Sequence, residues 1–358
     1  MATITIPAFL RNPEISGMVR TTDLPRNYLF DRWFPYESVT QDEFESVVVV
    51  DQVHLAPFVA VDAATPVMPG DLLGRYQWEV AYIRYKHAFK ESDFRGFFEP
   101  GVTDPSTLAY ANAQAAEARI RRFVDMLSNS VDARKEWIFT NAIAGAISYD
   151  DENVQYSVTF DGAYIGSSRR KAPSTSWDAA SPTIVADLSN WVEEISDETG
   201  IEEWTMVTTQ KVLGEMARDS GVQRLWQNMA GIAAPQDPGS LNPIMTTQVA
   251  GALQMLGITE VVKYTAKYST LTQTSLGQAS RTKTRFINDN DLFLMPANET
   301  LGRFASAPAQ PNDWMPGKFG WSKMQEDPWV IEVGAGEYTW IDFPPPNHNK
   351  VLQARVIF

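Results

Sequence analysis

No glycine or proline interrupts the chain between Pro105 and Gly145, and almost every residue in that stretch favours or tolerates a helix. About 40 residues at 1.5 Å each make one helix roughly 60 Å long. Both ends are marked. Asp104 is a good N-cap, Pro105 suits a first turn that needs no amide donor, and Gly145 sits where a left-handed cap would stop the helix. Apolar residues recur at Ala113, Ala116, Ile120, Val124, Leu127, Val131, Ile138 and Ala142, spaced by threes and fours or their sums. A single narrow stripe is therefore expected to be buried, with Ile120, Val124, Leu127 and Val131 as its centre. A helix this long exceeds the usual three or four turns and should cross the molecule as a beam. That favours a building block over a pocket enzyme.

The rest of the composition narrows the classes. A chain of 358 residues with 44% hydrophobic content has room for two or three subdomains with ordinary cores. A formal charge of -14 argues against a nucleic-acid reader, which needs a basic surface. There is no cysteine, which excludes disulfides, thiolate metal sites and thiol catalysis. No leader-like segment or apolar run of membrane-spanning length is present, so cytoplasmic residence is expected.

Residues 1–45 show no sustained period and carry Tyr28, Phe30, Trp33, Phe34 and Tyr36, which suggests an extended arm lying on its own subunit or on a neighbour. Val47 to Val61 is β-rich, and Pro66, Pro69 and Gly70 supply turn chemistry. In the return strand Tyr76, Trp78, Val80 and Tyr82 alternate with polar residues, and Tyr85, Phe89, Phe94, Phe97 and Phe98 follow. The expectation is a long β-hairpin whose aromatics are covered by the protein's own core or by another subunit. Beyond the long helix, Ser157–Phe160 reads as a strand and Arg169, Arg170 and Lys171 as a solvated loop. A compact α/β region follows: a helix from Ser181 to Thr199 closed by Gly200, a strand at Trp204–Thr208, a helix through Met216, a helix near Thr246–Leu256, and strands at Val261–Tyr268 and Leu292–Met295. Residues 329–358 return to β pattern, with the strand after the long helix and that helix's apolar face as expected partners.

A search for chemistry finds none. His54 and His87 would face each other in a hairpin symmetric about Gly70, but two imidazoles are half a zinc site, and His348 stands alone. Asn288–Asp291 lacks the glycine and terminal glutamate of a calcium loop and reads as a polar turn. Glu193 with Glu194 and Glu202 with Glu203 point different ways, so neither is an acid/base pair. Glu117 with Arg121 and Asp132 with Lys135 have helix-neighbour spacing and read as pairs on a solvated face. No catalytic, cofactor or metal residues are assigned.

The order of aromatic hairpin, beam helix, α/β insertion and closing β segment resembles the tailed-phage major capsid proteins of the Hong Kong 97-type fold, within them the lambda E-type major head proteins. Locally, Ala81-Tyr82-Ile83-Arg84-Tyr85-Lys86-His87 is similar to the run that ends the hairpin in that family, although Tyr85 stands where a proline is often found. The arginines Arg119, Arg121 and Arg122, Trp177 before Asp178, and Gly200 followed by Trp204-Thr205-Met206-Val207 are further likenesses. The resemblance implies an α+β fold divided into an N-terminal arm (1–45), an extended loop (46–100), a spine helix with the first part of a peripheral domain (101–180), an axial domain (181–310) and a return to the peripheral domain (311–358). It implies a head protein that assembles with itself as hexamers and pentamers into an icosahedral shell around double-stranded DNA, with scaffolding, portal and decoration proteins as partners. Trp33, Tyr76, Trp78, Tyr82, Tyr85 and Phe89 become the candidate contacts between subunits. The competing readings are a cytoplasmic α/β enzyme or ligand-binding protein and an encapsulin-like compartment. Some proteins of this fold join subunits through a lysine on the extended loop; here Lys86 and Lys90 are the lysines of that region, and both lie well past the Pro66–Gly74 turn.

Overall fold

The computed structural model describes residues 11–25, 27–50, 72–90, 105–151, 154–160, 169–231, 246–273, 279–325 and 330–358. The long helix, α3, spans Pro105–Ile143; α1 is Asn12–Thr21 and α2 Phe30–Trp33. Gly145 ends α3 as expected, at φ 101°, a backbone region that a side chain would disfavour. Asp104 lies outside the described residues.

Two five-stranded sheets organise the chain. The first, which we call the spine sheet, centres on β15 (Val330–Asp342). Along one edge of β15 run β13 (Arg303–Ser306) and β14 (Phe319–Gln325), with β1 (Tyr36–Ser38) parallel to β13 beyond them. Along the other edge runs β4 (Ala81–Lys90), antiparallel from Thr339–Ala81 to Val330–Lys90. The second, the insertion sheet, has the order β7-β16-β12-β8-β9, formed by Arg170–Lys171, Leu352–Arg355, Asp291–Pro296, Trp204–Thr208 and Ile258–Lys263. Helices Ile184–Thr199, Gln210–Arg218, Ser220–Ala230 and Thr246–Leu253 supply its apolar cover. In the first of these Ile184, Leu188, Trp191, Val192 and Ile195 are all buried, the stripe its spacing requires, and Gly200 caps it at φ 71°. Three antiparallel pairs complete the fold: β2 (Glu43–Val50) with β3 (Leu72–Glu79), β5 (Ala146–Asp151) with β6 (Val154–Thr159), and β10 (Lys267–Gln273) with β11 (Ala279–Arg285).

Several expectations need correction. The segment before residue 45 is not an extended arm throughout, because α1 lies against β14 and the spine helix. Ser16 Oγ donates to the Gly320 carbonyl at 3.0 Å and accepts from the Gly320 amide at 3.1 Å. A Cβ on Gly320 would come within 2.4 Å of Ile15, so the missing side chain is what admits the helix. The return strand of the hairpin splits at Val80: β3 pairs with β2, and β4 turns into the spine sheet. Val50 pairs with Leu72, a register that is not symmetric about Gly70, so His87 does not face the hairpin's first strand. It sits opposite Val333 and stacks on Phe123 with centroids 4.2 Å apart; His54 lies outside the described residues. The strand after the long helix pairs with its own neighbour as β5–β6, not with the closing β segment. That closing segment divides: β15 stays in the spine sheet and packs on α3, whereas β16 crosses into the insertion sheet between β7 and β12.

Candidate assembly surfaces

The apolar stripe of α3 meets the spine-facing residues of β15. Ile120, Val124, Leu127 and Val131 are buried against Ile331, Val333 and Ala335, with Ile15 and Val19 of α1 and Phe89 of β4 closing the cluster. Alternate residues of a strand share a face, so three β15 positions present one apolar row to one helical stripe.

One turn further along, the interface becomes ionic. Asp132 and Lys135 are both buried, and so is Glu136 beside them, which corrects the reading of a solvated pair. Lys135 Nζ lies 3.0 Å from Glu337 of β15 and 3.6 Å from Asp132, and Lys318 donates to Asp132 at 2.6 Å. Burial pulls the Lys135 ammonium towards neutrality, but Glu337 and Asp132 outweigh it and hold the amine charged above its ordinary range. The local spacing of Asp132 and Lys135 is compatible with either a wet or a dry face. Only the distant partners Glu337 and Lys318 decide it.

Glu136 has a different role. Its carboxylate accepts from the Leu29 amide at 3.1 Å, from the Phe30 amide at 3.0 Å and from the Tyr264 hydroxyl at 2.5 Å. Leu29 and Phe30 open α2, where backbone donors have no helical partner of their own. Tyr264 follows β9 of the insertion sheet. One side chain therefore ties the spine, the N-terminal segment and the insertion. Desolvation outweighs those three donors and pushes its pKa up to about 7. No sequence motif announces this residue.

The candidate subunit contacts separate into three groups. Trp33 and Phe89 are buried in the subunit's own core and are corrected as contacts between chains. Trp33 stacks on Phe139, centroids 6.1 Å apart, and its Nε1 donates to the Pro296 carbonyl at 2.8 Å; Phe89 packs edge-on against Phe123. Trp78 is half-buried and stacks on Phe160 at 6.0 Å, so the root of the β2–β3 pair is anchored to its own subunit. The Tyr76 side chain lies outside the described residues. Tyr82 and Tyr85 are exposed on β4, at 40% and 54%, which leaves them as the tyrosines of the set that face outward. The basic triplet is not a solvated loop. Arg169 is buried and ion-paired with Glu198, Lys171 holds Glu194 at 2.6 Å, and Arg170 and Lys171 form β7 beside β16.

This arrangement defines a class of architecture, the Hong Kong 97-type fold. The structure is similar to a protein of Escherichia coli CFT073 assigned as a prophage capsid protein, with a TM-score of 0.57, 14% identity, and 97% of this chain and 99% of that one covered. It is also similar to a phage-related protein of Bordetella bronchiseptica RB50, with a TM-score of 0.51, 11% identity and 97% of each chain covered. Residues 14–329 match the family described as phage major capsid protein E, and the chain belongs to that family. No curated protein sequence matches it significantly. Membership makes it a structural protein of the phage shell, so the enzyme and ligand-binding readings are dropped.

Proposed function

We propose that this chain is the repeating subunit of an icosahedral head, arranged as hexamers and pentamers around double-stranded DNA. The observation that carries the reading is the α3 beam locked along its apolar stripe to the spine sheet, with a second sheet under its own helical cover. Family membership supplies the shell; the spine stripe supplies the stiffness a thin wall needs. In this reading the β2–β3 pair and residues beyond it form the extended loop, the spine sheet with α3 the peripheral body, and the insertion sheet with its helices the axial body. The charge of -14 suits a wall that must not bind the DNA packed against it. Assembly takes place in the host cytoplasm with scaffolding, portal and decoration proteins as partners. Each subunit contacts several neighbours, so individually weak contacts suffice.

Size separates a shell protein from a small closed oligomer. Purified protein viewed by negative stain and sized by chromatography should give capsomers or closed shells of megadalton mass. A small closed oligomer that never forms shells at high concentration overturns it.

A further inference from the structure

On the β13–β14 edge of the spine sheet, a turn holds an indole out into solvent. Trp314 is 69% exposed and Met315 49% exposed, beside the exposed carboxylate of Asp313. Asp313 and Trp314 lie at φ 53° and 59°, two successive residues other than glycine in the left-handed region. Each such residue is strained and persists only where its surroundings impose it. The surroundings here do impose it. Asn312 is buried and donates to the Met315 carbonyl at 2.6 Å, Arg20 of α1 donates to Asn312 Oδ1 at 2.6 Å, and the Trp314 amide donates to Ala309 at 3.1 Å. Among the described residues, the Trp314 indole packs into no core cluster of its own subunit.

Where β4 and β15 of the same sheet meet α3 and the β5–β6 pair lies a matching hollow. Tyr82 and Arg84 of β4, Arg134 and Trp137 of α3, Tyr156 of β6 and Trp340 of β15 bound an open cavity of about 190 Å³. A cavity of ~150 Å³ is enough for a benzene ring, so this one has room for a larger aromatic. Its two guanidinium groups stack on rings, Arg84 at 4.4 Å from Trp321 and Arg134 at 4.8 Å from Tyr149. Neither is ion-paired among the described residues. The hollow therefore offers aromatic walls and two cations that have no acidic partner among the described residues, and the turn offers an indole and a carboxylate.

We propose that the Asp313–Trp314 turn of one subunit seats in the Tyr82–Arg84–Arg134 hollow of a second copy, the indole between the aromatic walls and Asp313 against the guanidinium groups. The occupant is a second copy because the chain belongs to a shell-forming family, and the turn's indole and carboxylate complement the rings and guanidinium groups of the hollow. A contact between different patches is heterologous, and its repetition forms a ring where the rotation between neighbours closes. Cation–π stacking and burial of an aromatic anchor are the terms that dominate such interfaces. The inference rests on the shell reading above and adds the residues through which neighbours meet.

The absence of cysteine makes the test direct. A Trp314→Cys, Tyr82→Cys double variant, oxidised during assembly and run on a denaturing gel without reductant, should give a ladder of covalent oligomers beyond the dimer. Each single variant should stop at the dimer. Separately, Trp314→Ala should raise the concentration needed for half-assembly roughly tenfold or more while circular dichroism and melting stay unchanged. Wild-type shells with no ladder in the double variant, and with Trp314→Ala assembling as wild type, overturn this contact and leave the shell reading standing. Wild-type protein that never assembles overturns both.

Discussion

Glu136 is where a single residue carries the largest electrostatic consequence. An unfolded glutamate titrates near 4.5, and burial raises this one to about 7 in the folded chain. Its contribution is fully present below the unfolded value, where the group is neutral in both states, and is lost as pH rises through 7. The loss is on the order of 3 kcal/mol. Glu136→Gln keeps a hydrogen-bonding amide in place of the carboxyl and removes the buried charge. We expect the melting temperature of the variant relative to wild type to move in the variant's favour between about pH 5 and pH 8. A difference that stays flat across that range would show that the carboxyl is charged throughout. Tyr264, whose hydroxyl donates to Glu136, is pushed above its ordinary range by its own burial and by that carboxylate, so it remains the donor over the whole experiment.

Among the elements, the spine helix governs the rest, and its stripe is the feature whose disruption should spread furthest. Val124 is fully buried between α1, β4 and β15, so Val124→Asp places a carboxylate where no partner is available and should cost about 3 kcal/mol or more. Arg122→Asp on the exposed side of the same turn should cost a small fraction of that. Urea melts of the two variants make the comparison, and equal midpoints would contradict the packing. The stripe could be read from sequence because helical period and caps are local. So could Trp204–Thr208, whose five residues are all buried, and the 184–199 helix with its terminal glycine. What stayed illegible depended on distant partners. The division of the return strand at Val80 follows from β15 claiming Ala81–Lys90, and Arg169 looked solvated because Glu198 stands 29 residues further along. β5 was missed because AISYDD carries no strand alternation and gains its register only from β6. Of the contact residues proposed from sequence, Tyr82 and Tyr85 face outward, whereas Trp33 and Phe89 are held by their own subunit. Aromatic content alone does not tell a core from an interface, and Trp314, in a turn without period, gave no signal at all.

For the whole molecule, the question is how neighbours stay together. Lys86 is paired with Glu332 across the β4–β15 ladder at 2.8 Å, two residues along the strand from its register partner Gly334, and this ion pair occupies the amine on the sheet surface. We expect a non-covalent shell: boiled mature particles should run as one band near the 40.0 kDa subunit, and a ladder of pentamers and hexamers in the wild type would contradict this. The crossing of β16 has a further consequence, for the timing of synthesis. Its place between β7 and β12 stays open until residues 352–355 have been made and delivered, although both flanking strands lie earlier in the chain. A growing polypeptide therefore has an unfinished insertion sheet while its spine helix is already formed.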